Sequence, residues 1–206
     1  MKYRAVLFDL DGTLLDYKKA QKSVTGNSCL LFDLVNSPEV QSYEARGVPL
    51  PGSPEMKKAF LKAQVTEDTE PFLKDYFEKL SRHAVLIDGA VEILESLLGR
   101  VKLGIVSNGS GEVQNPRLEK AGLSRFFSCR FFSRDTGTAK PDPAILRLAM
   151  REMGVTANET LFIGDSTTSD QPAALAAGID FFLFKGDFND RQLNSLLFKA
   201  HTVVLS

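Results

Sequence analysis

The sequence predicts an α/β fold, a parallel sheet with helices on both faces, carrying an all-helical insert after its first strand. Two observations predict the sheet. Short unbroken apolar runs, typical of strands covered on both faces, recur along the chain. Segments of helical periodicity fill the spaces between them, and strand-then-helix alternation gives parallel pairing. A third observation predicts the insert: residues 17–85 keep helical periodicity but contain no strand-like run.

Taken in order, the runs are Ala5–Phe8, Val101–Val106, Cys129–Phe132, Leu161–Ile163, Phe181–Phe184 and Thr202–Leu205. Helical patterns cover Ala90–Leu98, Val113–Ala121, Pro143–Met153, Pro172–Ala177 and Arg191–Lys199. Gly122, Gly154 and Gly178 stand just past three of these, where left-handed caps belong. Pro116 and Pro172 each fall early in a helical pattern, as a first turn tolerates. Within the insert, Cys29–Val35 reads as a helix capped by Ser28. Met56, Ala59, Phe60 and Ala63 recur at helical spacing, as do Phe72, Leu73, Tyr76, Phe77 and Leu80. The Pro/Gly-rich stretch 44–55 reads as a loop. The division is therefore a core, residues 1–16 and 86–206, and a helical insert, residues 17–85. The core reads as Rossmann-like.

Length and composition suit this division. The chain has 206 residues, 43% hydrophobic and 25% charged, enough to bury a real core. The formal charge is −1, which gives no reason to expect nucleic acid or an anionic membrane as partner. The N-terminal apolar run is too short for a signal-peptide core, and Gly178 and Asp180 interrupt the longest weakly polar stretch. Two lone cysteines, Cys29 and Cys129, read as reduced, buried thiols of a cytoplasmic protein.

In parallel α/β sheets, ligands bind beyond the C-terminal ends of the strands. Asp9, Asp11, Gly12 and Thr13 follow the first run; Ser107, Asn108 and Gly109 follow the second; Asp165, Ser166 and Asp170 follow the fourth. Lys140 lies in a loop before a helix. Singly, each cluster has an ordinary structural reading: an Asx turn, a strand-end turn, a helix entry, a helix cap. Jointly they bring four carboxylates, one lysine and several small donors to one sheet edge. Carboxylates this dense call for a divalent cation, and Mg²⁺ suits a site of hard oxygens. Lys140 and the donors at Gly12, Thr13, Ser107 and Asn108 suit an anion beside it, phosphate first.

The segments FDLDGTL (8–14), VSNGS (106–110), KPDPAIL (140–146) and IGDSTTSD (163–170) resemble, in order, the four motifs of the haloacid dehalogenase-like (HAD) superfamily. The insert resembles the small helical cap of the branch with phosphoglycolate phosphatases, nucleotidases and β-phosphoglucomutase. The resemblance implies a Mg²⁺-dependent phosphatase acting on a small phosphorylated metabolite. Asp9 would be the nucleophile that becomes an aspartyl-phosphate, and Asp11 the general acid and base. Gly12, Thr13, Ser107, Asn108 and Lys140 would bind phosphate. Asp9, Asp11 (through its carbonyl), Asp165 and Asp170 would hold the metal. A phosphomutase of the same family and a non-catalytic phosphate-binding or phospho-switch module are the alternatives.

Overall fold

The computed structural model describes residues 2–198. Its centre is one parallel sheet of five strands: β1 (Ala5–Phe8), β2 (Lys102–Ser107), β3 (Cys129–Phe132), β4 (Thr160–Gly164) and β5 (Asp180–Leu183). The order is β3-β2-β1-β4-β5, with β1 hydrogen-bonded in parallel register to both β2 and β4. The chain thus lays β2 and β3 on one side of β1, then returns to lay β4 and β5 on the other. The point of return lies at the C-terminal end of β1, where doubly wound sheets bind ligands.

Alternation along β1 explains its unbroken apolar run. Val6 and Phe8 enter one buried cluster with Leu94, Leu97, Ile105 and Ile163; Ala5 and Leu7 enter the other with Ile145, Ala149 and Phe162. Both faces are dry, so neither parity of the strand is polar. The covering helices are α6 (Ala90–Leu97), α7 (Gly111–Lys120), α9 (Ala144–Met153), α10 (Asp170–Ala177) and α11 (Arg191–Phe198), with a short α8 (Ser133–Thr136) after β3. Gly154 and Gly178 close α9 and α10 with positive φ, as their places in the sequence require. The run Thr202–Leu205 lies outside the described residues.

Between β1 and α6 come five helices and no strand: α1 (Tyr17–Thr25), α2 (Cys29–Val35), α3 (Pro38–Arg46), α4 (Pro54–Lys62) and α5 (Thr69–Ser81). They bury a core of their own, including Leu34, Val40, Met56, Phe60, Leu73 and Leu80; Val113 of α7 joins it. Ser133 Oγ donates to Ala45 O at 2.5 Å, fastening α3 to the end of β3.

Four expectations need correction. Residues 44–46 belong to α3, whose start carries a readable signal: Ser37 caps Val40 N and Pro38 opens the first turn. Pro116 is an interior residue of α7, since that helix begins at Gly111. Cys29 is exposed and Cys129 half-buried; both are free thiols. Cys29 opens α2, whose buried residues, Leu34 and Val35, lie at the other end.

Candidate active site

The strand ends deliver their polar residues to one cavity of about 420 Å³. Asp9, Asp11, Ser107, Asn108, Lys140, Asp165 and Asp170 line it from the core side; Tyr17, Gln41, Glu44 and Ala45 line it from α1 and α3. Larger hollows exist elsewhere on the molecule, so chemistry rather than volume distinguishes this one.

Asp9 continues β1, and its amide donates to Ile163 O of β4 at 2.9 Å, which fixes the backbone. Its Oδ1 accepts from Lys140 Nζ at 2.6 Å. The same ammonium donates to Val106 O at 2.9 Å and lies 2.7 Å from Asp170 Oδ1. The Lys140 loop is held in turn by Asn108, whose side-chain amide takes Lys140 N–H at 2.9 Å and gives to Lys140 O at 3.0 Å. All three charged groups are buried: Asp9 is 5% exposed, Lys140 3% and Asp170 1%.

The electrostatics follow from that burial. Desolvation pushes the Asp9 carboxyl well above the usual carboxylate range; Lys140 pulls it down, while Asp170 and Asp165 push it further up. Burial also raises Asp165, with Asp170 adding to the rise. Burial opposes the Lys140 charge, but Asp9 and Asp170 outweigh it and the ammonium is held charged.

One carboxylate oxygen each from Asp9, Asp165 and Asp170 lies within 4.8 Å of the other two. Three carboxylates face one ammonium, so negative charge is in excess at a cluster of hard oxygens. That donor set fits Mg²⁺. Two glycines let these carboxylates approach the backbone closely. A Cβ on Gly12 would stand 2.3 Å from Asp165 Oδ2, and one on Gly164 would stand 2.4 Å from Asp170 Oδ2. Gly12 also has φ near +87°, which side chains other than glycine rarely adopt.

Two residues read from the sequence as phosphate donors lie differently. Gly12 N–H is already committed to Leu15 O at 2.8 Å, and Thr13 is wholly buried with its hydroxyl unpartnered. Neither lines the cavity.

Asp11 stands apart from the three clustered carboxylates. Its Oδ2 accepts from Arg117 Nη1 at 2.9 Å and from Gln114 Nε2 at 2.8 Å. Arg117 Nη2 lies 2.7 Å from Oδ1, a charge contact without hydrogen-bond alignment. The two opening aspartates therefore face different cations. The motifs gave no warning of Arg117 or Gln114, which sit on α7 and look like ordinary helix polar residues. The available signal was their place among apolar neighbours, with Val113 and Leu118 beside them in sequence and all four buried.

Glu44 was also missed, because its segment reads as a loop. It is buried and accepts a short hydrogen bond from the Tyr17 hydroxyl. Burial pushes its carboxyl up to about 7, against the pull of Tyr17 and with Asp11 adding to the rise. Lys18, Lys22, Arg46, Lys57 and Lys58 are exposed and none lines this cavity.

A family model described as haloacid dehalogenase-like hydrolase matches residues 6–184. The Bacillus subtilis protein YfnB is 31% identical over 87% of this chain and 83% of its own length. The pyrimidine 5'-nucleotidase PynA of Streptococcus pneumoniae is 30% identical over 87% of this chain and 83% of its own. A phosphoglycolate phosphatase of Pseudomonas fluorescens is 30% identical over 85% of this chain and 67% of its own. The magnesium-bound crystal structure of YfnB superposes with a TM-score of 0.77 at 26% identity, covering 91% of each chain.

Proposed function

The chain belongs to the haloacid dehalogenase-like hydrolase family, and on that premise we propose that it is a Mg²⁺-dependent phosphatase of small phosphomonoesters working through an aspartyl-phosphate on Asp9. The observation that carries the reading is the Asp9 carboxylate held 2.6 Å from Lys140, beside Asp165 and Asp170, in a cavity open to a small molecule.

Asp9 attacks phosphorus, the bond to the leaving oxygen breaks, and Asp11 supplies the proton that oxygen needs. Asp11 then takes a proton from the water that cleaves the aspartyl-phosphate, releasing inorganic phosphate and restoring Asp9. Lys140 holds Asp9 and neutralises phosphate oxygens, with Ser107 and Asn108 beside it. Asp9, Asp165, Asp170 and the carbonyl of Asp11 would hold Mg²⁺, which when bound supplies positive charge against the phosphoryl oxygens. Residues 17–85 act as a cap: Tyr17, Gln41 and Glu44 roof the cavity, which favours small substrates over folded phosphoproteins. The free thiols fit a reducing, cytoplasmic setting. Among the described residues no helix is long and apolar enough to cross a membrane.

The test is phosphate release from a panel of pyrimidine nucleoside monophosphates, phosphoglycolate and sugar phosphates, assayed with Mg²⁺ and with EDTA. At least one substrate turns over with Mg²⁺, and release stops in EDTA and in Asp9→Asn. Full activity in EDTA, or phosphate trapped on a residue other than Asp9, overturns the reading.

A further inference from the structure

The insert contributes one charged side chain to the catalytic cavity, and it is acidic. Of the residues that line the cavity from the insert, Tyr17, Gln41, Glu44 and Ala45, only Glu44 carries a charge. On the core side Lys140 is the only cation among the described residues that line the cavity, and Asp9 and Asp170 hold it. Arg117 and Arg134 are close enough to pull the Glu44 carboxyl down, yet neither lines this cavity. Arg117 is buried against Asp11. Arg134 lies over the Tyr43 ring, 4.9 Å from its centre, and lines a neighbouring cavity of about 490 Å³.

The hydrogen bonds of this roof leave acceptors unspent. The Tyr17 hydroxyl gives its one proton to Glu44 Oε2. Gln41 turns its amide nitrogen to Val35 O at 2.7 Å. Among the described residues no hydrogen bond reaches Glu44 Oε1 or Gln41 Oε1, and neither oxygen is sealed from solvent. The roof therefore offers a carboxylate oxygen and an amide oxygen to whatever part of the substrate reaches it. A hydroxyl or ammonium group donates to such oxygens. A carboxylate or a second phosphate does not, and it meets like charge at Glu44.

We propose that Glu44 is a specificity-determining residue: it selects phosphomonoesters whose leaving group carries hydroxyl or ammonium donors, and turns away those whose leaving group carries a carboxylate or a second phosphate. Phosphorylated polyols, nucleosides and amino alcohols belong to the first class, and phosphoglycolate to the second. The inference deepens the phosphatase reading above and rests on it. A purely structural role for the Tyr17–Glu44 pair would change turnover of both classes alike. The ratio between the classes is therefore the quantity to measure.

The experiment compares matched pairs that differ only in a terminal hydroxymethyl or carboxylate group: 2-hydroxyethyl phosphate with phosphoglycolate, glycerol 3-phosphate with 3-phosphoglycerate, and erythritol 4-phosphate with 4-phosphoerythronate. The three lengths cover different reaches from the phosphate to the roof. Two quantities are measured with Mg²⁺ for each compound: kcat/KM for phosphate release, and inhibition of p-nitrophenyl phosphate turnover. The assay runs at about pH 8.5, above the value of about 7 to which burial raises Glu44, so that the carboxylate is charged. The parent prefers the hydroxyl member of at least one pair by about tenfold to a hundredfold, as one hydrogen bond to a charged acceptor allows. Glu44→Gln keeps the shape and still accepts from Tyr17. It lowers that ratio by about tenfold, chiefly by gaining on the carboxylate. Intrinsic leaving-group reactivity cancels, because each pair is compared in both proteins. No preference in any pair, a parent preference for the carboxylates, or a ratio unmoved in Glu44→Gln overturns the proposal. A parent inert with Mg²⁺ on p-nitrophenyl phosphate and on every other phosphomonoester instead sinks the phosphatase reading itself, so the two failures are distinguishable.

Discussion

The strand-end cluster and the helical insert both bury polar groups, and they neutralise them in opposite ways. At the strand ends, charge meets charge: Lys140 lies against Asp9 and Asp170, and Arg117 against Asp11. In the insert, buried polar groups meet neutral partners. Glu44 meets the Tyr17 hydroxyl, and Gln21 meets the Tyr76 hydroxyl at 3.3 Å. The first arrangement sets opposite charges against each other and needs every partner. The second tolerates a proton gained or a group removed. Removing polarity therefore has opposite consequences in the two regions.

The largest effect falls at the strand ends. Lys140→Met leaves Asp9 and Asp170 buried without their cation. We expect a loss of about 3–5 kcal/mol of stability, the usual result of deleting one member of a buried ion pair. Phosphate release falls by about 10²–10³-fold, because the donor proposed for the phosphoryl oxygens is gone. Urea denaturation and the phosphate assay check the two outcomes. A variant as stable as the parent would break the comparison at its strongest point.

The next effect belongs to the insert and depends on pH. Glu44 is held up at about 7 against an ordinary 4.5, chiefly by burial. The folded protein therefore holds this proton more tightly than the unfolded chain does. The resulting stability is fully present below pH 4.5 and is lost as pH rises through 7, by about 3 kcal/mol in all. Glu44→Gln keeps the shape, accepts from Tyr17 and has no proton to lose. The variant matches the parent near pH 4.5 and exceeds it increasingly up to pH 8. Melting temperatures across that range, parent against variant, read it out; a pH-independent difference would show that Glu44 is not the group responsible.

The same contrast explains what was legible in the sequence. Asp9, Ser107 and Asp165 stand at the ends of apolar runs, and Lys140 and Asp170 stand in or next to loops. A polar residue that interrupts or follows such a run announces itself. The sheet was legible for the same reason, since both faces of β1 are buried and its run has no polar breaks. Arg117, Gln114 and Glu44 lie inside helices, where every third or fourth residue is polar by default. Their burial comes from packing between elements distant in sequence: α5 against α7 for Arg117 and Gln114, α3 against the end of β3 for Glu44. Local pattern does not carry that information. The misread start of α3 is a different case, because Ser37-Pro38-Glu39 is a helix-opening signal and the glycines and prolines downstream outweighed it.

The smallest effect tests the comparison where its sign is least obvious. Gln21 is wholly buried in the insert. Its amide nitrogen makes one long bond, 3.3 Å to the Tyr76 hydroxyl, and its Oε1 has no partner. An unpaired buried acceptor costs about 1–3 kcal/mol, whereas a neutral hydrogen bond contributes about 1 kcal/mol, and less when stretched. Replacing the amide with an apolar group of similar size removes the larger cost and the smaller gain together. The insert's buried apolar core includes Ala20, next to Gln21 in sequence, and Leu73 and Leu80, on the helix that carries Tyr76. Gln21→Leu should therefore stabilise the protein by up to about 1 kcal/mol, opposite in sign to Lys140→Met. The urea midpoint moves upward with an unchanged slope, and phosphate release is unaffected because Gln21 does not line the cavity. A fall in the midpoint would show that the insert, like the strand ends, depends on every polar partner it buries.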